Sequence, residues 1–449
     1  MDILTFLPQF GNVFLTLLAF VVALSVIVAV HEYGHYIVGR WSGIKAEVFS
    51  LGFGPVVFSR VDRHGTRWQL AALPFGGFVK FLGDADAASG KDGAAMAALP
   101  PERLRQTMHG APLWARTATV AAGPVFNFIL SILIFTVVMM SGGKTADPLT
   151  VGALKPLPVE GITLLPGDRV LTIEGMGLPD VAGGELYDDL IDALPSQALL
   201  RYEVERAGRQ IEVAGPQLMP PLISGLAPQS AAFDADLQSG DVITEVNGTP
   251  IVAFDELKDV VEGSNGAPLT LGMWRPSGET YEVSITPRRV DEPQPEGGFR
   301  TEWRIGIAGG MAFEPATERL GPIEAIGDAV GQTGAIIQSS FSGLYHMITG
   351  AISSCNMSGP IGIAQVSGAM ASQGPESFIW FIAVLSTAVG MLNLFPVPVL
   401  DGGHLVFYAY EAVSGRPPSE RALRILMTVG LTLVLSMMLF ALFNDLFCP

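Results

Sequence analysis

The chain has 449 residues, 49% of them hydrophobic and only 15% charged, with a mean hydropathy of +0.42. That length is too great for one compact core, and that composition argues against an ordinary soluble enzyme. The net charge of −17 argues against a nucleic-acid partner.

Four apolar stretches can cross a hydrocarbon core of roughly 30 Å: residues 13–38, 118–140, 378–395 and 425–443. The first is expected to remain in the mature protein, because Asp2 and no basic residue precedes it and no small-x-small cleavage pattern follows. Residues 39–117 hold 10 Lys and Arg against 6 acids, whereas residues 144–377 hold 13 against 31. Basic loops stay on the cytoplasmic side. Arg416, Arg421 and Arg424, between the last two stretches, agree. The expected topology puts both termini and the acidic region outside, with the four spans in a lipid bilayer.

Between the first two stretches, residues 46–82 alternate β-branched and aromatic runs with Gly, Pro and the turn Arg63-His64-Gly65-Thr66, which predicts a small membrane-associated β-meander. Residues 83–112, rich in Ala, Gly, Asp and Pro, are expected to be a mobile cytoplasmic loop reaching the second stretch at 117.

The acidic region repeats itself. Pro166-Gly167-Asp168-Arg169-Val170 and Ser239-Gly240-Asp241-Val242-Ile243 match in register through Gly175 and Gly248. Each copy is followed by a helix-like stretch, 187–194 or 254–261, and then by strands, 200–213 or 268–286. This predicts two α+β modules, 145–217 and 218–290. With Gly225-Leu226-Ala227-Pro228 ahead of the second repeat, they resemble PDZ domains, which implies binding of peptide C-termini by strand addition.

Residues 291–376 read as a linker followed by an amphipathic helix, with Val330, Ile337, Phe341, Leu344, Ile348 and Ile352 at helical spacing. Gly, Gln and Ser interrupt its apolar character, so a helix on the outer membrane face is expected rather than a fifth span. Cys355 and Cys448 are the two cysteines, and no disulfide is expected from them.

His31-Glu32-Tyr33-Gly34-His35 fits H-E-x-x-H. Histidines four apart share a helix face and can reach one zinc ion, with the glutamate placed to take a proton from water. Buried at the end of an apolar span, these side chains need a cavity or a metal. A catalytic zinc takes a third protein ligand. Asp401 is the leading candidate, because Pro396, Pro398, Gly402 and Gly403 around it break the helix, and irregular backbone at membrane depth lines cavities. His404, three residues on, is the weaker competitor and is given a supporting role. His109 reads as a loop residue.

H-E-x-x-H in the first span, P-x-P-x-L-D-G-G near a late span and PDZ-like modules between them together resemble the site-2 protease family, and more closely its bacterial regulator-of-sigma-E protease subgroup. The resemblance covers essentially the whole chain. It implies one zinc ion (Zn2+) held by His31, His35 and Asp401, Glu32 as general base, and Asn393 as support for substrate or oxyanion. It also implies that Gly123 and Asn127 pack the second span against the first. The implied fold is a polytopic α-helical membrane protein with four transmembrane helices, in a bacterial inner membrane, its active site near the cytoplasmic side. The implied substrates are single-span membrane proteins, such as an anti-sigma factor, or remnant signal peptides. The rival reading is a non-catalytic PDZ-bearing membrane scaffold.

Overall fold

The computed structural model describes residues 7–85, 93–179, 187–294 and 298–448. Asp2 and positions 86–92 of the expected loop lie outside these residues. The chain divides into a unit of Met1–Val138, Pro322–Tyr345 and Ser354–Pro449, and a unit of Met139–Gly321 with His346–Ser353.

In the first unit, four helices among the described residues are long and apolar enough to cross a membrane, over Val13–Trp41, Leu113–Gly142, Pro375–Asn393 and Glu420–Phe447. Their outward side chains, such as Phe14, Leu133, Val137 and Leu439, are largely exposed, as lipid contact demands. Local chemistry sets the ends. Pro375 occupies the first turn of the third span, where its missing N–H costs nothing. The Ser419 hydroxyl accepts from the Ala422 amide at the start of the fourth.

Buried hydroxyls tie the second and third spans together. Ser131 donates to Asn127 O at 3.0 Å and Ala383 O at 2.8 Å, and Ser386 donates to Asn127 O at 2.9 Å. In hydrocarbon, which offers no competing water, such bonds hold helices in register.

The β segment is not a sequential meander. Strands Ala46–Val61 and Arg67–Phe81 fold so that Phe49, Ser50 and Leu51 face Val79, Phe78 and Gly77 on one side and Trp68, Gln69 and Leu70 on the other. Residues 77–81 therefore form one rim of the sheet, whereas 68–70 lie inside it, flanked also by 58–60. The expected mobile loop is ordered where it is described: Pro101–Leu104 is helical, and Thr107, Met108 and Ala111 are buried.

The cysteine expectation is overturned, because Cys355 and Cys448 form a disulfide with a Cα–Cα distance of 5.6 Å. Polar contacts bring the two together. Asn444 donates to Ser354 O at 2.7 Å, and the Asp445 carboxylate accepts from the amides of Gly359 and Ile361 at the start of helix Pro360–Ser372.

The amphipathic helix runs over Pro322–Ile348, so Ile352 falls beyond it. Ala325, Ala329 and Thr333 form its buried stripe, while Ile326, Val330, Phe341 and Tyr345 stay exposed. The Phe341 ring lies 5.8 Å from that of Phe395. The helix thus reaches the segment beyond the third span.

The second unit holds two sheets of one topology. Met176–Gly177, Arg169–Ile173, Leu199–Arg206 and Arg209–Pro216 make the first, and Thr249–Pro250, Val242–Val246, Leu269–Trp274 and Thr280–Ile285 make the second. Helices Asp188–Ala193 and Phe254–Gly263 occupy matching positions, and each module has its own core. The repeated Asp has one job in both copies: Asp168 pairs with Arg206 at 2.6 Å, and Asp241 with Arg275 at 3.0 Å.

Residues 291–320 are not simply a linker. Ile307–Gly309 pairs with Ile223–Leu226, and Phe313–Pro315 pairs with Val151–Leu154. Ile305 joins the second core and Phe313 the first, so the modules are completed by chain that lies beyond residue 290.

Candidate active site

The H-E-x-x-H turn sits near the C-terminal end of the first span, with the histidine rings edge to face, 4.8 Å apart. His35 Nδ1 lies 2.8 Å from the buried Thr119 carbonyl of the second span. That acceptor fixes Nδ1 as the protonated nitrogen and leaves Nε2 with a free lone pair. The Asn127 carboxamide lies 3.2 Å from His31 Nδ1, and its own Oδ1 is buried without a partner. Turning the amide end for end lets Oδ1 accept the His31 Nδ1–H, which satisfies both groups.

The second span can come this close only because position 123 is glycine. A Cβ there would overlap the His35 ring and fall 2.8 Å from Cε1 of His31. Gly34 answers it from the first span, where a Cβ would meet the Ala122 carbonyl at 2.5 Å.

Asp401 arrives from the far end of the chain as the first residue of helix Asp401–Ser414, where the unpaired amides of the first turn favour a carboxylate. The segment before it is tightly wound. Gly402 and Gly403 press on the carbonyls of Leu394, Phe395 and Val397, and Gly430 of the fourth span presses on Pro398. Val399 sits at φ 99°, a costly conformation for a β-branched residue, of the kind found where structure serves a site. At its other end, the helix is pinned to the second span. Arg116 makes a two-pronged pair with Glu411, at 2.6 and 3.0 Å, and lies over the Tyr408 ring at 5.2 Å.

These elements bring three donor atoms to one point. His31 Nε2 and His35 Nε2 are 3.1 Å apart, and Asp401 Oδ2 lies 3.1 and 3.5 Å from them. The side chains are only 11%, 13% and 17% exposed. Asp401 Oδ2 has no hydrogen-bond partner although it is buried. Two imidazole nitrogens and an orphaned carboxylate oxygen fit a divalent cation of borderline softness such as zinc.

A cavity of about 280 Å³ opens on this cluster. Glu32, Asn393 and His404 line it, as do Phe78, Val79, His109 and Tyr408. The Val79 amide faces the Glu32 carboxylate. Asn393 commits one side-chain N–H to Val389 O at 3.0 Å. His404 makes no ligand contact, and burial, the largest influence on it, pushes its imidazole pKa down. His31, Glu32, His35, Asn393, Asp401 and His404 thus line the cavity, and Gly123 and Asn127 lie against its histidines. Thr119 and the His109 side chain were not foreseen as belonging to it.

The peptidase family M50 profile matches residues 19–437. The chain belongs to this family. A protein of Rhizobium meliloti (strain 1021) named as a zinc metalloprotease is 36% identical over 97% of both chains. A Vibrio cholerae protein so named is 31% identical, covering 95% of this chain and 97% of its own. The regulator of sigma-E protease of Salmonella typhimurium (strain 14028s) is 32% identical over 96% of this chain and 98% of its own. As an M50 peptidase with four apolar helices, the chain is an intramembrane zinc metalloprotease of the inner membrane, acting on membrane proteins. Zinc is its cofactor.

Proposed function

We propose that His31 Nε2, His35 Nε2 and Asp401 Oδ2 hold the zinc ion and that Glu32 is the general base for cleaving a peptide bond in or near the span of a single-span membrane protein. The convergence of those three largely buried atoms at one cavity carries the reading. When bound, the ion supplies Lewis-acid polarisation of the scissile carbonyl and acidifies a water molecule. Glu32 takes the proton of that water and returns it to the leaving amine. Thr119 and Asn127 orient the imidazoles, Gly123 admits them, Asn393 supports the substrate and His404 tunes the cavity wall. A scaffold would need neither Glu32 nor the orphaned Asp401 oxygen.

A peptide bond inside a helix has its carbonyl tied to the next turn, so the substrate must be unwound before attack. The 77–81 rim, whose Val79 amide is directed at Glu32, offers that segment a strand to pair with. Residues 68–70 of the same strand are flanked on both sides and have no edge to offer. Val79→Pro removes an amide from the open rim. It should cut turnover of a single-span reporter by about 10²-fold or more, the loss expected for a misplaced substrate, with zinc content unchanged. Normal turnover would remove the pairing.

The basic 39–117 loop supports a cytoplasmic active-site end, and the disulfide at the far end of the fourth span supports an oxidising exterior there. Cysteines 355 and 448 should resist a membrane-impermeant maleimide on spheroplasts until they are reduced, and both should then label from outside. Labelling only after lysis would reverse the orientation.

The two modules are read as PDZ-like. A groove of about 340 Å³ between helix Phe254–Gly263 and strand Ile307–Gly309 is shaped to take an extended C-terminus. The source proposed for that terminus is a single-span substrate such as an anti-sigma factor, in keeping with the Salmonella relative's name, regulator of sigma-E protease. Calorimetric titration of C-terminal pentapeptides tests the groove, and no saturable heat would leave the modules as spacers.

A further inference from the structure

One wall of the active-site cavity carries a histidine, His109, backed by a buried carboxylate that the proposed mechanism does not use. The Asp84 side chain is fully buried. Its Oδ2 accepts from the Phe81 amide at 3.0 Å, and its Oδ1 has no hydrogen-bond partner. His109 Nε2, also buried and also without one, lies 3.4 Å from that oxygen. An orphaned carboxylate oxygen sealed from water is costly, and the one group placed to satisfy it is this imidazole.

The backbone on either side of the imidazole is held in place. The Met108 amide donates to Leu82 O at 3.1 Å, Thr107 is fully buried with its hydroxyl on Leu104 O at 2.7 Å, and the Gly110 amide donates to that hydroxyl at 2.9 Å. His109 lines the same cavity as Glu32 and Asp401. His404 lines the same cavity. With Nε2–H turned to Asp84, Nδ1 is the remaining functional atom, and a protonated ring presents it as a donor.

We propose that His109, held by Asp84, is a further catalytic residue of the peptidase, donating a hydrogen bond to the substrate carbonyl oxygen as it gains negative charge. Charge develops on that oxygen during attack, and a fixed donor in a sheltered cavity stabilises it far more than water does. Asn393 has one N–H on Val389 O and the other left for the substrate. No covalent step is added: the proton stays on the imidazole while Glu32 handles the proton of the attacking water.

The inference rests on the zinc-protease reading of this cavity, and the test separates the two. Full-length His109→Ala and His109→Phe, the latter filling the ring's space without a donor, are assayed on a single-span fluorescent reporter beside Glu32→Gln, with zinc measured on each. Both His109 variants should lose about 10²-fold in kcat, as for removal of one oxyanion donor, with KM within threefold and full zinc. If Glu32→Gln is dead while both His109 variants keep kcat within threefold, only this inference falls. It also falls if their loss follows loss of zinc or appears only in KM. An active Glu32→Gln would instead overturn the residue roles proposed above.

Discussion

Glu32→Gln should reduce cleavage by 10²–10⁴-fold or more, the span attributed to a general base, while zinc stays at about one ion per chain. Glu32 lines the cavity but stands outside the cluster formed by His31, His35 and Asp401, so losing its carboxylate removes proton transfer and leaves the metal in place. Metal analysis and reporter cleavage on the same preparation decide the matter. Zinc lost together with activity would make Glu32 a ligand, and activity retained would end the proposed mechanism. In cells, membrane proteins that accumulate uncut in this variant would be the substrates.

Gly123→Ala should be nearly as damaging, though it adds a single methyl group. That methyl would overlap the His35 ring and crowd His31, so the second span must retreat or the imidazoles must turn. Overpacking costs typically about 1–3 kcal/mol in stability, but the larger effect falls on the metal, whose ligands tolerate displacements of only about 0.2 Å. Sub-stoichiometric zinc and loss of cleavage are expected. Gly142→Ala, in the same helix with nothing within 4 Å of the new methyl, should be silent and serves as the control. Full zinc in Gly123→Ala would show that the two helices separate freely.

The sequence disclosed what is local or chemically rare. His31, Glu32 and His35 share one helical turn, and Asp401 follows two prolines that keep the third span from continuing, so both halves of the proposed zinc site could be read, although Gly402 and Gly403 prove to belong to the next helix. Gly123 and Asn127 could be placed but not explained, because the reason lies in the ring edges they meet. Thr119 could not be found at all: it acts through its carbonyl, which any residue would supply. The β segment was recognised by composition, yet its strand order depends on a bulged register that alternation does not encode. Strands Ile307–Gly309 and Phe313–Pro315 were missed because short Gly- and Pro-rich runs resemble linkers until their distant partners are known. The cysteines lie 93 residues apart, and only the side chains of Asn444 and Asp445, folding that end back, reveal why they meet.

Asp401 reaches the histidines only through a wound segment that Gly430 of the last span braces at Pro398. The first span carries two of the three proposed ligands, and the third lies 366 residues further along the chain than His35. With the ligand set proposed above, the cluster is therefore complete only in a chain whose last helix is packed against Pro398.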